Sequence, residues 1–322
     1  MKARDFVHRD FLTWMDFTKE EIAYLLDTAA DLKERLRKGE PHDVLQGKTA
    51  MMIFEKQSTR TRISFQAGCA HLGMQSFFTM PQQLQMGRGE PIKDTARVID
   101  RYCDVLFMRT FGQERVEEFA HHMERPVVNA LTDMTHPCQG LADLLTIREH
   151  KGRTEDLKLA YAGDVWNVCH TLMVAGAMFG FDVYVARPEG YEPAERVASY
   201  VAEMTAKTGA TVKLTSDLEE AVQDADVVYA NTWHSMGEGE KAKEQRIRDF
   251  GPYQINEEVM TWAKDDAVFM HCLPGYRGED MTDGVIEGPQ SVVFDQAENR
   301  MHTEKAVLYL VVGQQARLPS AR

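Results

Sequence analysis

The chain has 322 residues, room for two domains at the usual roughly 100 to 200 residues each, which excludes a small stapled scaffold. Its 43% hydrophobic, 27% charged and 9% aromatic residues exclude disorder and fibrous repeats. With 37 Lys+Arg against 50 Asp+Glu the formal charge is -13, so no nucleic-acid or anionic-membrane partner is expected, and an anionic ligand needs a locally basic pocket.

Cys69, Cys103, Cys138, Cys169 and Cys272 form an odd set with no CxxC pair, which fits a reducing compartment. The opening residues Met1 to Asp5 meet charge before any apolar signal core forms, and the longest apolar stretch, Leu172 to Phe181, is too short for a membrane span. A cytoplasmic protein is expected.

In chain order, Ile22, Leu25, Leu26, Ala29, Leu32 and Leu36 recur at three- and four-residue steps and predict an amphipathic helix. After Gly47 come short apolar runs: Ala50 to Phe54, Val105 to Met108, Val127 to Leu131, Leu159 to Ala162, Val183 to Ala186, Val227 to Ala230, Val268 to Met270 and Val292 to Phe294. Such runs alternating with helical segments predict buried parallel strands, an α/β fold of two doubly wound domains. Gln139 to His150 predicts a helix, and the polar turn Lys151-Gly152-Arg153-Thr154 predicts the domain boundary. The expected domains are 1–150 and 151–298, with 299–322 a C-terminal helix that packs back on the first domain through the apolar face of Glu304 to Gln315.

Ligands of open α/β sheets bind beyond the carboxyl ends of the strands, so the residues after each run are where chemistry is expected. Ser58-Thr59-Arg60-Thr61-Arg62 follows the first run and precedes Ile63-Ser64-Phe65 at helical spacing. Unpaired N–H groups at a helix start, hydroxyl donors and guanidinium groups make a phosphate cradle, against the blander alternative of an ordinary cap. It is not a P-loop, and Gly87-Arg88-Gly89 is not a dinucleotide fingerprint. Arg109, then Asp133, His136 and Gln139, then Asp164 and Asn167, then Asn231, Ser235 and Met236, then His271-Cys272-Leu273-Pro274, then Asp295 to Arg300 follow the later runs. Taken singly, Arg109 reads as a surface arginine, His136 as a loop histidine and Arg300 as a helix cap. Neither an HxxxH pair nor a Cys/His cluster offers three metal ligands, so no metal is expected. His271 is poorly placed as a base for Cys272, because adjacent strand residues point to opposite faces.

As an ordered set these motifs resemble the aspartate/ornithine carbamoyltransferase family, nearest its ornithine-using members. The resemblance runs through Ser58-Thr59-Arg60-Thr61-Arg62, Asp94-Thr95-Ala96-Arg97, Arg109, His136-Pro137-Cys138-Gln139 with Leu141-Ala142-Asp143, Ser235-Met236-Gly237, His271-Cys272-Leu273-Pro274 and Ala297-Glu298-Asn299-Arg300. It implies two α/β domains with the active site in the cleft between them, the first for carbamoyl phosphate and the second for the amine, usually in a homotrimer. It further implies that Ser58, Thr59, Arg60 and Thr61 hold the phosphate, and that Arg109, His136, Gln139 and Arg300 hold phosphate or carbamoyl. Cys272 and Leu273 would lie at the carbamoyl end, with Arg109, His136, Cys272 and Arg300 as the catalytic set. Gln85 would bind carbamoyl phosphate from a loop that reaches a neighbouring subunit's site, and Asn167, Asn231, Ser235 and Met236 would bind L-ornithine. No cofactor is implied.

Two positions depart from the family pattern. Asn231 stands where Asp is typical, and Val165-Trp166-Asn167 where Gly-Asn-Asn is usual. The lost carboxylate keeps putrescine and N-acylated ornithines open as substrates. A catalytically inactive phosphometabolite-binding paralogue and a thiol hydrolase using Cys272 are the alternatives from other classes.

Overall fold

A computed structural model of the chain describes residues 2–234 and 239–313. The chain divides into two compact units, one comprising Met1–Ala142 and the segment from Glu298 onward, the other Asp143–Ala297.

The first unit opens with α1 (Lys19–Arg37), started by a reciprocal capping box in which the Thr18 hydroxyl accepts the Glu21 N–H and the Glu21 carboxylate accepts the Thr18 N–H. Its stripe of Ile22, Leu25, Leu26, Ala29 and Leu32 is buried. There follow β1 (Thr49–Phe54), α2 (Thr59–His71), β2 (Gln75–Thr79), α3 (Ile92–Tyr102), β3 (Val105–Arg109), α4 (Gln113–His122), β4 (Val127–Leu131) and α5 (Pro137–Lys151), the last running into the second unit. The strands pair in parallel in the order β2-β1-β3-β4. The outer edge of β4 is covered by the N-terminal segment: Phe11 bridges Val128, and the Asp10 carboxylate accepts the Val127 N–H at 2.8 Å.

The second unit contains β5 (Lys158–Ala162), α6 (Asn167–Phe179), β6 (Asp182–Ala186), α7 (Glu195–Thr208), β7 (Val212–Thr215), α8 (Leu218–Val222), β8 (Val227–Ala230), α9 (Glu240–Phe250), α10 (Glu257–Met260), β9 (Val268–His271), α11 (Asp283–Ile286) and the start of α12 (Val293–Val311), which continues into the first unit. Its five strands are parallel in the order β7-β6-β5-β8-β9. The apolar stretch within α6 is a core helix, buried at every position. Among the described residues no helix is long and apolar enough to cross a membrane, and no group of three or more His, Cys, Asp and Glu side chains is placed to hold a metal ion.

The structure corrects the strand reading at Val292 to Phe294. Only Ser291 makes a bridge, to Phe269, and the helix α12 begins at Val293, since a three-residue apolar run does not by itself distinguish a strand from the first turn of a buried helix. Two strands escaped the sequence reading. Both β2 and β7 are edge strands with half-polar sequences, Gln-Ser-Phe-Phe-Thr and Val-Lys-Leu-Thr, and neither is a continuous apolar run.

Candidate active site

Both sheets reverse their strand order beside the strand that enters them first, between β1 and β3 in one unit and between β5 and β8 in the other. Such reversals open a crevice at the strand carboxyl ends. The polar residues gather at these two places.

In the first unit, β1 leads into Ser58, the N-cap of α2, whose hydroxyl accepts the Thr61 N–H at 3.2 Å. That cap satisfies one of the four N–H groups that the first turn of a helix leaves without an intrahelical partner. An open cavity of about 580 Å³ abuts the turn, lined by Phe54, Gln57, Ser58, Thr59, Arg62 and Phe78 among others. Within that lining the Arg62 guanidinium stacks 3.8 Å from the Phe78 ring centroid and its Nε donates to Gln66.

Arg109 ends β3 at an irregularity in the register with β4, a device that re-aims a strand-end side chain. Its flanks are pinned. The Arg109 carbonyl accepts the Glu55 N–H at 2.8 Å, and the Glu55 carboxylate accepts from the Thr110 hydroxyl at 2.6 Å and from Arg115 at 2.5 Å. The loop that brings in His136 is held by a buried network: Thr132 donates to Gln113, and the Asn129 amide donates to Thr135 and to the Leu12 carbonyl. On the solvent side Lys56 pairs with Asp133 at 2.5 Å. Trp14 Nε1 donates to the Pro137 carbonyl at 3.0 Å and so anchors the start of α5, which carries Gln139.

Arg300, on α12, closes this group. Its Nη1 donates to Gln139 Oε1 at 2.7 Å, and its Nη2 donates to Thr61 Oγ1 at 3.2 Å and to Glu304 Oε1 at 2.7 Å. Arg109, His136, Gln139 and Arg300 are all buried. Burial first, and then the charges of Arg300, Arg109 and Arg60, hold the His136 imidazole well below the usual histidine range. His136 is therefore neutral at physiological pH: an uncharged hydrogen-bonding group inside a cationic ring, suited to a polarised oxygen rather than to service as an acid. Inside a chain of charge -13, this is the locally basic pocket an anion requires.

In the second unit, Gly163 follows β5 with φ at +145°, and a Cβ there would lie 3.0 Å from the Asn231 carbonyl, so only glycine lets the ends of β5 and β8 come this close. Asn231 is held by three side-chain bonds. The Thr232 N–H donates to Oδ1 at 2.9 Å and fixes the amide orientation, the Cys272 thiol donates to the same oxygen at 3.2 Å, and Nδ2 donates to the Tyr161 hydroxyl at 3.0 Å. Tyr161 in turn donates its own proton to the Asp164 carbonyl at 2.7 Å, and burial pushes its hydroxyl well above the usual range, so it remains a phenol. Asn167 opens α6 and accepts from Thr171 through its carbonyl. Trp166 caps that helix beneath the guanidinium of Arg246, 4.5 Å from its ring centroid, while Arg246 also pairs with Asp164.

His271 serves Leu273 rather than Cys272. Its Nε2 pairs with the buried Asp280 at 2.8 Å, and its Nδ1 accepts the Leu273 N–H at 2.8 Å, holding Leu273 at φ +56°. The imidazole is thus committed elsewhere, as the strand alternation required. Gln85 is exposed at the start of a one-turn 3-10 helix, where its carbonyl accepts the Glu90 N–H. Ser235 and Met236 lie outside the described residues.

The structure thus brings Ser58, Thr61, Arg109, His136, Gln139 and Arg300 to one crevice, and Asn167, Asn231, Cys272 and Leu273 to the strand ends of the other unit. Four partners were missed from sequence: Tyr161, Arg246, Asp280 and Glu304. Only Glu304 carried a local signal, its spacing of four residues from Arg300 on a helix.

The family model for the carbamoyl-P binding domain of aspartate/ornithine carbamoyltransferase matches residues 9–149, and the model for the Asp/Orn binding domain matches residues 155–311. The chain belongs to the aspartate/ornithine carbamoyltransferase family. Within that family it is 51% identical over 300 residues to an ornithine carbamoyltransferase of Anoxybacillus flavithermus, covering 93% of this chain and 95% of the relative. One from Thermococcus kodakarensis is 50% identical over 305 residues, covering 95% and 96%. The solved ornithine carbamoyltransferase of Pyrococcus furiosus superposes with a TM-score of 0.92 at 48% identity over 95% of this chain and 98% of that one. That of Gloeobacter violaceus gives 0.84 at 42% identity over 94% and 98%.

Proposed function

We propose that the protein transfers the carbamoyl group of carbamoyl phosphate to the side-chain amine of L-ornithine, giving L-citrulline and phosphate. The observation that carries this reading is the buried constellation of the first unit: Arg300 held on Thr61 and Gln139, with Arg60 and Arg109 around a neutral His136.

In this reading Ser58, Thr59, Arg60 and Thr61 bind the phosphate oxygens through the helix start and its hydroxyls. Arg109, His136, Gln139 and Arg300 hold the phosphate and the carbamoyl oxygen, Cys272 and Leu273 border the carbamoyl end, and Asn167, Asn231, Ser235 and Met236 take the amino acid. The amine lone pair attacks the carbamoyl carbon, negative charge grows on the carbonyl oxygen, the bond from that carbon to the phosphate oxygen breaks, and phosphate leaves with the electron pair and takes up the proton that the new nitrogen–carbon bond displaces. Preorganised donors at the carbonyl oxygen supply the main stabilisation. An alkylammonium with pKa near roughly 10 must lose its proton before it attacks, so activity should climb with pH.

Residues 1–150 are the carbamoyl-phosphate domain in this reading, 151–298 the amino-acid domain and 299–322 the returning C-terminal segment. A homotrimer in the cytoplasm is part of it, with Gln85 reaching a neighbouring subunit. Support for self-association comes from large apolar side chains left exposed on the first unit, Ile63 on α2, Phe77 on the edge strand β2 and Tyr102 on α3.

One observation favours a second amine class. Asn231 is neutral and already tied to Tyr161, Thr232 and Cys272, which suits a substrate whose α-nitrogen is acylated or absent, such as N-acylated ornithine or putrescine. The test of the main reading is stoichiometry: the purified protein given carbamoyl phosphate and ornithine should release phosphate and ureido product one for one. Phosphate release without ureido product would overturn the transfer.

A further inference from the structure

Glu304 lies one helical turn beyond Arg300 on α12, with its side chain 0% exposed. Its Oε1 accepts from Arg300 Nη2 at 2.7 Å, while the Ser64 hydroxyl of α2 donates to the Thr61 carbonyl at 3.3 Å. The direction of the Arg300 guanidinium is also set by two neutral acceptors on other helices, Gln139 and Thr61. A neutral amide at position 304 would supply the same hydrogen bond without the cost of burying a charge. What the carboxylate adds is negative charge, placed behind the guanidinium that faces the anion.

The thiols and the imidazole facing Glu304 are silent near neutrality. Burial pushes the Cys69 thiol of α2 up to about 12 and the Cys138 thiol of α5 higher still, while His136 is held neutral. Lys305, lowered to about 8 by burial, directs its ammonium to the Leu32 carbonyl and His42. Glu304 itself is raised to about 7 by burial, against the opposing pull of Arg300. An anion arriving at Arg300 is repelled by the ionised carboxylate and not by its protonated form. By the reciprocity of linked equilibria, the anion and a proton on Glu304 must then favour each other.

We propose that Glu304 is a positioning residue that competes with the bound anion for Arg300, so that carbamoyl phosphate binding draws a proton onto Glu304 and weakens as the medium turns alkaline. The proposal rests on the reading that Arg300 holds carbamoyl phosphate.

The test is the KM for carbamoyl phosphate at saturating amine, from about pH 6 to about pH 8.5, in wild type and Glu304→Gln. A bound anion that raises Glu304 by one unit gives a tenfold limit, so the wild-type KM should climb at least about fivefold. Glu304→Gln should lack that rise, keep kcat, and show the lower KM at the alkaline end; the ionisations of the ligand and of Lys305 are common to both proteins. Parallel profiles, or a higher KM in the variant, would overturn the proposal. A measurement on wild type alone covers a variant that does not fold: calorimetry with carbamoyl phosphate near pH 7.5, in two buffers of different ionisation heat, should find proton uptake, and its absence overturns the proposal. Turnover without proton linkage would remove this inference and leave the carbamoyltransferase reading standing, whereas no binding and no ureido product would remove both.

Discussion

Replacing Asn231 by aspartate tests the hydrogen-bond polarity of the second unit. In the native chain protons run one way, from Asn231 Nδ2 to the Tyr161 hydroxyl and from Tyr161 to the Asp164 carbonyl, while the Thr232 N–H holds the Asn231 oxygen in place. An aspartate keeps the acceptor for Thr232 and Cys272 but turns the donor toward Tyr161 into a second acceptor. The tyrosine has one proton and now faces two oxygens. Losing the bond costs about 1 kcal/mol and leaving a buried acceptor unsatisfied about 1–3, so Asn231→Asp should destabilise the fold by about 2–4 kcal/mol. For a chain of this size that is a fall in Tm on the order of 3–6 °C.

The penalty should depend on pH with a definite sign. A protonated carboxyl at position 231 can donate to Tyr161, so the folded state favours the neutral acid and raises its pKa above the unfolded value. The variant is then least handicapped in acid, and its deficit grows as pH rises from the unfolded pKa to the folded one, by about 1.4 kcal/mol for each unit of elevation. Thermal melts of both proteins at about pH 5.5 and about pH 8.5 measure this directly. Adding Tyr161→Phe, which removes the opposing hydroxyl, should recover part of the loss. A deficit that is absent, or that shrinks with rising pH, would refute the reasoning.

Arg60→Ala should lower kcat/KM for carbamoyl phosphate by roughly 10²–10³-fold while leaving the melting temperature unchanged, as expected for one preorganised donor; near-normal turnover would remove its phosphate role. The His136 ring resonances should show no titration near neutrality, and a midpoint near the ordinary histidine value of about 6.5 would contradict its cationic surroundings. Cys272→Ser should lower activity without abolishing it, and no covalent adduct should be trapped on the native protein, since the thiol donates to Asn231 Oδ1 and the adjacent His271 is committed to Asp280 and Leu273; substrate-derived mass on Cys272 would restore the thiol-hydrolase reading. Thr18→Ala, which removes the cap of α1, should cost about 1 kcal/mol in chemical denaturation, and no change would mean that packing alone fixes that helix start.

The central strands were legible because burial on both faces writes itself as continuous apolar runs, as in Val105 to Met108 and Val227 to Ala230. The edge strands β2 and β7 were not, because half of each faces outward and their compositions match those of loops. Val292 to Phe294 shows the converse failure, an apolar triplet that begins a helix. The first-unit site was legible where residue type and strand-end position coincide, as at Ser58, Arg109 and His136. What sequence could not supply was commitment: Arg62 has the chemistry of the cradle but is stacked on Phe78, and His271 adjoins Cys272 but is paired with Asp280. Tyr161 lies 70 positions from its partner Asn231, and Asp280 lies beyond the turn that follows His271, relations that no local spacing encodes.

The most direct test of the proposed reaction is the rate of ureido-product formation from carbamoyl phosphate with ornithine, putrescine, N-acetylornithine, N-succinylornithine and aspartate offered separately. A clear preference for ornithine is predicted, with Asn231 accommodating the zwitterion. Preference for an acylated or α-nitrogen-free amine would contradict the substrate and leave the phosphate site in place, and no product from any amine would contradict the enzyme itself.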